Sequence, residues 1–490
     1  MLFNSLEFLI FFPTVTILYF LLPHRFRWLH LLVASCVFYM AFIPIYILIL
    51  AFTIVVDYFA GILIENAAGK RRKVFLLMSL VANIGTLAVF KYYNFAGRNL
   101  TAFFHGLHFD YALPILAVAL PVGLSFHTFQ AMSYTIEVYR GRQAAERHFG
   151  IYALYVMFYP QLVAGPIERP QNLIHQFYER HEFEYQRVTN GLKLMLWGMF
   201  KKVVIADRLA VYVDAVYNTP HSWSGVPLII ATVFFAFQIY CDFSGYSDIA
   251  IGAAQVMGFK LMTNFNRPYH ARTISEFWKR WHISLSTWFR DYLYVPLGGN
   301  RTTQNRWYFN LFFTFLISGI WHGANWTFVI WGALNGFYLL CSIWTKDLRA
   351  SLVKSVGLAG HPKLHSVVKV AITFALTCYA WIFFRANNIS DVVYINRAIA
   401  SSLIHPLNWL QSTQTAAGGR LGPITRYDFM MALLVIAFME LIHLVQRKRG
   451  MRTMLAERPI WFRWGVYYAL GLAIICLGEF GKRQFIYFQF

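Results

Sequence analysis

The sequence predicts an all-α, polytopic membrane protein. Hydrophobic residues make up 58% of the 490 residues and aromatic residues 19%, only 13% are charged, and the mean hydropathy is +0.48. This composition lies far from the average of soluble domains. Apolar tracts recur along nearly the whole chain, so we expect a single integral-membrane domain over residues 1–490, with about 10 to 13 transmembrane and re-entrant helices.

The first apolar tract, at about residues 6–22, is predicted to be a retained membrane span. No Lys or Arg precedes it and no small-residue cleavage pattern follows it, whereas a secretory signal peptide carries both. A turn near Pro44 then separates two further crossings. Two more tracts, at about residues 74–90 and 112–134, lead to a basic loop.

The basic residues are concentrated between apolar tracts, which is the positive-inside pattern. They predict cytoplasmic loops that contact anionic lipid head groups, with the N-terminus on the other side of the membrane. The net charge of +21 therefore indicates orientation, and we expect no nucleic-acid partner. Besides Arg25 and Arg27, the basic clusters are residues 70–73, 140–147, 201–202 and 447–452.

The remaining apolar tracts differ in length, so broken or re-entrant helices are expected. The inverted repeat of many transporters is missing from the pattern. The tracts lie at about residues 152–164, 191–216, 227–257, 309–344, 367–384, 429–445 and 465–480.

Between residues 264 and 300 the sequence is aromatic and basic at once. Thr273 and Glu276 form a capping box that opens a helix. Apolar residues then recur at helical spacing, and charged residues take the other side. We predict one interfacial amphipathic helix that lies along the membrane surface or dips into the bundle, with His282 on its apolar side. The apolar residues are Ile274, Phe277, Trp278, Trp281, Leu285, Trp288 and Phe289.

The tract at residues 309–344 contains no Asp, Glu, Lys or Arg, and His322 is its only group that titrates near neutral pH. As one helix the tract would be about 54 Å long, well beyond the ~30 Å bilayer core. It therefore has to tilt steeply or break. Ser318, Gly319 and Gly323 bracket the expected break, which places His322 at the junction of two segments.

Two roles are open for His322. A buried histidine is more often a structural imidazole, but an ionisable group inside a membrane is costly, which favours a functional role. Asn325 and Trp326 lie close by with polar groups, and imidazole suits proton transfer near pH 7. Gly332 and Gly336 form a GxxxG pattern that permits close approach of a neighbouring helix or ligand. One histidine does not identify a reaction.

Two other polar patterns indicate a functional site less strongly than His322 does. Residues 241–248 place Asp242 and Asp248 at a glycine-containing break in an apolar tract, and lining of a polar cavity is favoured over a Ca²⁺ site, which needs more oxygen ligands. Residues 160–171 contain three prolines and a glycine. They predict either a helix-ending surface turn or part of a substrate entrance, with neither alternative favoured.

His127 and the cysteines are predicted to be structural. His127, in an apolar stretch, fits a core or interface residue better than a catalyst. The cysteines lie singly in or beside apolar tracts, which argues against disulfides and against a CxxC-type metal site, so we expect buried thiols and no metal. The five cysteines are Cys36, Cys241, Cys341, Cys378 and Cys476.

Four motifs in this order resemble those of the membrane-bound O-acyltransferase family, and within it the bacterial alginate O-acetyltransferase branch. They are PQLVAGPIERP, FQIYCDFSGYSDIAIG, RWHISLSTWFRDYLYVPLGGNR and GIWHGANWTFVIWG. The resemblance extends over almost the full length, and the two histidine-bearing motifs are highly specific in combination.

The resemblance implies a helical bundle with a funnel or tunnel and an active site around the histidine of the WHGA motif, His322 here. His282, in RWHIS, matches the family's second polar position. The family transfers an acyl group from an activated donor, usually a coenzyme A thioester, so acetyl-CoA is the expected donor substrate and no bound cofactor is expected. In this branch the acetyl group passes outward across the bacterial inner membrane, with a separate extracytoplasmic esterase-like partner and a polysaccharide acceptor.

Chemical roles consistent with that activity can be assigned to individual residues. His322 would take the proton from an acceptor hydroxyl, and a covalent acyl-histidine is the less favoured variant. His282 would orient or polarise a reacting group, Asn325 would help to stabilise the oxyanion, and Arg280 would attract the phosphates of coenzyme A. The predicted catalytic residues are His322 and His282, and the predicted substrate-binding residues are Asn325, Trp321, Arg280 and Asp242.

Three alternatives remain open at the level of sequence. The same scaffold can transfer D-alanine from a carrier protein to a teichoic acid, which would require an acylated carrier in place of acetyl-CoA. A proton-coupled glycan or lipid transporter would use His322 as a proton relay, although the missing repeats and sparse intramembrane carboxylates count against it. A scaffold that only recruits a polysaccharide synthase gives no reason for the buried histidine.

Overall fold

The computed structural model describes residues 1–109, 112–116, 121–405, 423–446, 451–480 and 485–486, and the backbone alone at 451–453. Within them every regular element is helical, which confirms the all-α class. The α-helices are α1 (Leu6–Leu21), α2 (His24–Met40), α3 (Ile47–Asn66), α4 (Gly69–Leu87), α5 (Tyr93–Gly106), α6 (Leu124–Tyr139), α7 (Phe149–Met157), α8 (Pro170–Leu173), α9 (Tyr185–Met199), α10 (Asp207–Tyr217), α11 (Gly225–Met257), α12 (Ile274–Trp278), α13 (Ile283–Phe289), α14 (Gln304–His322), α15 (Trp326–Trp344), α16 (Lys346–Ser355), α17 (Pro362–Arg385), α18 (Ile389–Ile404), α19 (Arg426–Val445), α20 (Met451–Ala456) and α21 (Ile460–Leu477).

Among the described residues, seven helical stretches are long and apolar enough to cross a membrane, and α1 is a shorter apolar helix. The protein is therefore a polytopic membrane protein. The number of crossings and their sidedness stay predictions. The seven stretches are Pro44–Asn66, Gly69–Gly106, Gly225–Met257, Trp326–Trp344, Pro362–Arg385, Arg426–Val445 and Ile460–Leu477.

The described residues divide into two compact units, and the prediction of a single domain stays a prediction. The first unit contains Met1–Met195 and Tyr246–Thr263. In its interior the Asp57 carboxylate accepts hydrogen bonds from Ser79 Oγ at 2.6 Å and from Asn83 Nδ2 at 2.8 Å. His127 Nε2 lies 3.2 Å from Thr53 Oγ1 on the neighbouring helix, which confirms His127 as a core histidine.

Two expectations for the first unit are wrong in part. The tract predicted at 112–134 is helical only from Leu124, because Gly123 adopts a left-handed conformation (φ 78°) ahead of it, and residues 117–120 lie outside the described ones. The proline-rich segment at 160–171 does follow the end of α7, but it is almost entirely buried rather than a surface turn. One of its backbone carbonyl groups is paired inside the protein, since Tyr155 Oη donates to the Glu168 carbonyl oxygen at 3.0 Å.

The second unit contains Leu196–Gly245 and Asn264–Ile486. Helix α11, which begins in this unit, runs without interruption, so the predicted break near residues 241–248 is wrong. The glycine there serves close packing instead: a Cβ at Gly245 would lie 2.8 Å from the Gly198 carbonyl oxygen. Helices can therefore approach each other at Gly245 without any break in the backbone.

The basic pair Lys201 and Lys202 is buried, contrary to the predicted cytoplasmic loop. Both lie in a π-helical segment, Phe200–Ala206, whose residues are all buried. Lys202 Nζ lies 2.9 Å from Asp207 Oδ1 and 2.5 Å from Asp242 Oδ1, and Lys201 Nζ donates to Ser244 Oγ at 2.8 Å. The two carboxylates compensate for the desolvation of the Lys202 ammonium group, which allows this cation to lie in the interior.

The other predicted basic clusters differ in how exposed they are. Residues 70–73 form the exposed start of α4, and residues 140–147 form a largely exposed turn in which Arg147 pairs with Glu65. Arg27 is mostly buried, because its guanidinium donates to the carbonyl oxygens of Leu22 and His181. The cluster at 447–452 lies outside the residues whose side chains are described. The five cysteines are free, as predicted, but only Cys241 and Cys378 are buried. Cys36 and Cys341 are partly exposed and Cys476 is exposed, so the prediction of buried thiols is wrong for these three.

Candidate active site

His322 ends α14, and α15 begins four residues later at Trp326. Gly323 between them is extended (φ −166°, ψ 152°), so the long apolar tract breaks where the sequence predicts. The break places His322 at the tip of a helical hairpin, where the backbone leaves the helix. A side chain at this position can be held between two helices rather than along the surface of one.

Glycines set the separation of the two helices of this hairpin. A Cβ at Gly332 would lie 2.5 Å from the Phe315 carbonyl oxygen and 2.8 Å from Gly319 Cα. One turn further, a Cβ at Gly336 would lie 3.1 Å from Phe312 Cα. The prediction that the GxxxG pattern permits close helix approach is confirmed, and the partner is the preceding helix α14.

The His322 side chain is enclosed by aromatic rings and is 5% exposed. Its ring centre lies 4.9 Å from those of Trp321 and Trp331 and 5.4 Å from that of Phe384. The Trp331 ring is perpendicular to it, at 89°. These rings come from α14, α15 and α17, so contacts with three helices restrict the orientation of the imidazole.

His282 lies at a break between α12 and α13, so the predicted single amphipathic helix is wrong. The residue adopts a left-handed conformation (φ 43°, ψ 57°) and is fully buried. The helix is interrupted because the segment before it competes for its backbone groups: Asn266 N donates to the Arg280 carbonyl oxygen, and Ile283 N donates to that of Asn264, each at 2.9 Å. The predicted apolar positions of this segment are nevertheless buried.

Burial lowers the pKa of His282 to about 3, because the charged imidazolium loses its hydration. Its ring is therefore neutral throughout the physiological pH range. A neutral imidazole can accept a proton or a hydrogen bond at one nitrogen and donate at the other. The role of His282 in orienting a reacting group stays a prediction.

A series of aromatic rings, each in contact with the next, connects the two histidines. His282 also contacts Phe243, at 4.6 Å between ring centres. The successive distances between ring centres are 6.4 Å for His282–Phe265, 5.1 Å for Phe265–Trp281, 5.1 Å for Trp281–Trp381, 5.9 Å for Trp381–Trp331 and 4.9 Å for Trp331–His322.

Asn264 holds the backbone around His282 in place. Its Oδ1 accepts hydrogen bonds from Ser284 Oγ at 2.9 Å and from Ser284 N at 3.2 Å. An Asn264→Ala variant loses both, and we expect turnover to fall about 10- to 100-fold, because displacing a reacting group by ~1 Å has that cost. The measurement is kcat of the detergent-purified protein. Asn264→Asp, which keeps the acceptor oxygen, is the control and should retain most of the activity; equal losses in both variants would contradict this positioning role.

The other predicted substrate-binding residues have partners within the protein. Asn325 caps α15: its Oδ1 accepts from Thr327 N at 3.1 Å, and its Nδ2 donates to the Asn387 carbonyl oxygen at 2.8 Å. This geometry gives Asn325 a structural role and leaves the oxyanion role without geometric support. The Asp242 carboxylate, besides its contact with Lys202, accepts from Ile486 N at 2.7 Å.

Arg280 donates to Glu276 Oε1 at 2.6 Å and is partly exposed. The same glutamate accepts from Arg272 N at 2.7 Å, and Thr273 Oγ1 accepts from Glu276 N at 3.0 Å. The predicted helix cap is therefore present, with the reciprocal bond made by the residue before Thr273. This ion pair holds the side chain of Arg280, two residues before His282, against the end of α12.

A buried carboxyl that the sequence interpretation did not single out is Glu168, in the proline-rich segment. It is 1% exposed, and burial raises its pKa to about 7. It accepts a hydrogen bond from Met262 N and lines a polar cavity of about 650 Å³ in the first unit, together with Gln176, Lys260 and Arg187. The signal was an acidic residue in an otherwise apolar, proline-rich stretch.

Comparison with known proteins adds the family. The chain matches MBOAT, the membrane-bound O-acyltransferase family, over residues 142–384. It is similar to the probable alginate O-acetylase AlgI of Pseudomonas aeruginosa, with 38% identity over 442 residues covering 89% of this chain and 81% of the relative. It is also similar to the peptidoglycan O-acetyltransferase of Helicobacter pylori, with 35% identity over 397 residues covering 75% and 72%.

A more distant similarity relates the chain to the teichoic acid D-alanyltransferase of Streptococcus thermophilus, with 28% identity over 243 residues covering 45% of this chain and 56% of the relative. His282 and His322 both fall within the residues that match the family. With relatives above 30% identity over most of both lengths, the chain belongs to the membrane-bound O-acyltransferase family and is an O-acyltransferase.

Proposed function

We propose that this protein transfers an acetyl group from acetyl-CoA, on the cytoplasmic side of a bacterial inner membrane, for the O-acetylation of an extracytoplasmic polysaccharide. The observation that carries the proposal is the buried His322 at the break between α14 and α15. The names of the relatives, alginate O-acetylase and peptidoglycan O-acetyltransferase, support an acetyl donor and a glycan acceptor.

The proposed reaction is direct acyl transfer with His322 as general base. The oxygen of an acceptor hydroxyl attacks the thioester carbonyl carbon while a His322 ring nitrogen takes the hydroxyl proton. The tetrahedral intermediate collapses as the carbon–sulfur bond breaks. The coenzyme A thiolate leaves with the electron pair and receives the proton from the imidazolium, which restores neutral His322. His282 positions one of the reacting groups through a hydrogen bond from its neutral ring.

Acetyl transfer is favoured over D-alanyl transfer by the extent of the similarities. The acetylase relative is aligned with 89% of this chain, and the D-alanyltransferase with 45%. We also propose that a separate extracytoplasmic esterase-like protein takes the acetyl group to the polymer, which would be an alginate-like exopolysaccharide or a cell-wall glycan. Arg280 and the basic turns would attract the phosphates of coenzyme A, with Trp321 beside the acyl group.

The experiment supplies acetyl-CoA with a labelled acetyl group to inside-out membrane vesicles that contain the protein. Alginate oligosaccharides, or separately peptidoglycan fragments, are enclosed in the lumen together with periplasmic proteins of the source bacterium, which supply the proposed esterase-like partner. Label on a lumenal acceptor, together with release of free coenzyme A outside, is the expected result. Transfer that requires an acylated carrier protein would instead support the D-alanyl alternative, and solute flux that follows the proton gradient without thioester cleavage would support a transporter.

A further inference from the structure

Three potential metal ligands, none of them one of the two candidate catalytic histidines, come together in the second unit: His270, Glu440 and His443. His270 Nε2 lies 2.9 Å from Glu440 Oε2, and His443 Nδ1 lies 3.2 Å from Glu440 Oε1. One ligand atom from each of the three residues lies within 4.8 Å of the others. Around a tetrahedral Zn²⁺ with bonds of ~2.0–2.1 Å, neighbouring ligand atoms are about 3.3 Å apart, so these separations suit one ion with small adjustments.

Tyr240 supplies the second layer of such a site. Its hydroxyl lies 3.2 Å from His443 Nε2, the ring nitrogen that points away from Glu440. Histidines that bind metals usually donate their other ring N–H to an oxygen acceptor, which fixes the ring and leaves the ligating nitrogen unprotonated. With the proton on Nε2, His443 Nδ1 carries a lone pair directed toward Glu440, where an ion would sit.

The nature and exposure of the ligands select the metal. Two imidazoles and one carboxylate suit Zn²⁺ and its neighbours in the first transition row, whereas Mg²⁺ and Ca²⁺ prefer oxygen ligands only. The side chains of His270 and Glu440 are 20% and 29% exposed, so the cluster is not fully enclosed and leaves room for a fourth ligand. Lys201 Nζ lies 5.9 Å from the Tyr240 ring centre, and its positive charge disfavours a second cation nearby. Binding of a metal ion therefore requires the negative charge of the Glu440 carboxylate.

We propose that His270, Glu440 and His443 form a binding site for one Zn²⁺-class ion, with Tyr240 as the hydrogen-bond partner that orients His443. The ligands come from the Pro268–His270 turn and from α19, which are 170 residues apart in sequence. A bound ion thus joins α19 to the segment that leads to His282. The site does not depend on the proposed acetyl transfer, since its ligands are distinct from His322 and His282.

The test uses the full-length protein, purified in detergent through a tag without histidine, treated with chelator and then incubated with ZnCl₂. After removal of free metal, elemental analysis should find about one zinc ion per chain. Co²⁺ in place of Zn²⁺ should give the intense visible absorption bands of a tetrahedral nitrogen–oxygen site. The thermal midpoint should rise with added Zn²⁺, because an ion that binds only the folded state stabilises it.

Two variants of nearly unchanged volume separate a metal site from a hydrogen-bonded cluster. Glu440→Gln should weaken Zn²⁺ binding by at least about 100-fold, and Tyr240→Phe by about 10- to 100-fold. His221→Ala is the matched control, because His221 also lies near a carboxylate, Asp391 at 3.4 Å, and should leave zinc binding unchanged. Wild-type protein that retains no more zinc than Glu440→Gln would overturn the proposal, whether or not acetyl transfer is detected.

Discussion

His322→Ala protein is expected to lose acetyl transfer almost completely, with kcat lowered by about 100- to 10,000-fold, the range associated with a general base. The imidazole contacts the rings of Trp321, Trp331 and Phe384, none of which can act as a base in place of His322 when alanine replaces it. The measurement is the rate of coenzyme A release from acetyl-CoA by purified protein in the presence of an acceptor. Single-turnover rates at saturating donor would show that the loss lies in the chemical step.

Two controls distinguish lost chemistry from lost folding. His322→Gln keeps most of the volume and a hydrogen-bonding group but cannot take a proton at neutral pH, so it should be as inactive as alanine. His127→Gln alters another buried histidine, which contacts Thr53 in the first unit, and should keep the specific activity of the folded fraction. Acetyl transfer by folded His322→Ala protein at a rate near that of the wild type would refute the general-base assignment.

Lys202→Met is expected to destabilise the protein by about 3–5 kcal/mol, the cost of leaving a buried charge without its partner. Lys202 is fully buried and contacts both Asp207 and Asp242, so methionine would leave two carboxylates in the interior without a cation between them. The free energy of unfolding can be measured by titration with a denaturing detergent, and the yield of folded protein should fall in parallel.

The control for this variant is Arg290→Met, because Arg290 also lies in a π-helical segment and pairs with Asp291 at 2.7 Å. That pair is largely exposed, so its loss should cost about 0–1 kcal/mol. Adding Asp242→Asn to Lys202→Met should recover part of the lost stability, since one unpaired charge is removed. A Lys202→Met protein as stable as Arg290→Met would show that the contacts of Lys202 with Asp207 and Asp242 contribute little to the free energy of unfolding.

The features that sequence predicts best here are those set by local composition. The apolar tracts give the membrane-spanning class, and the length of residues 309–344 with glycines at its centre gives the break beside His322. Small residues at a spacing of four give the close approach of α14 and α15. Each of these inferences needs only the properties of a single stretch of chain.

The features that sequence fails to predict depend on partners far along the chain. His282 interrupts its helix because the backbone of Asn264 and Asn266 competes for the groups that a helix would use. Lys202 is buried because Asp242, 40 residues away, lies beside it. The spacing of residues along one helix does not reveal such long-range pairs. The segment around His282 was therefore predicted to be one continuous helix, and Lys202 was predicted to lie in a surface loop.

The hydrogen bond from Ile486 N to Asp242 Oδ2 has a consequence for biosynthesis. The ribosome makes Ile486 244 residues after Asp242, which takes roughly 10 to 50 seconds at about 5–20 residues per second. During that interval α11 has been synthesised, but Asp242 Oδ2 cannot yet accept its hydrogen bond from Ile486 N. The interior of the second unit therefore reaches its final hydrogen bonding late in translation, and the insertion machinery has to shelter an incompletely paired acidic group until then.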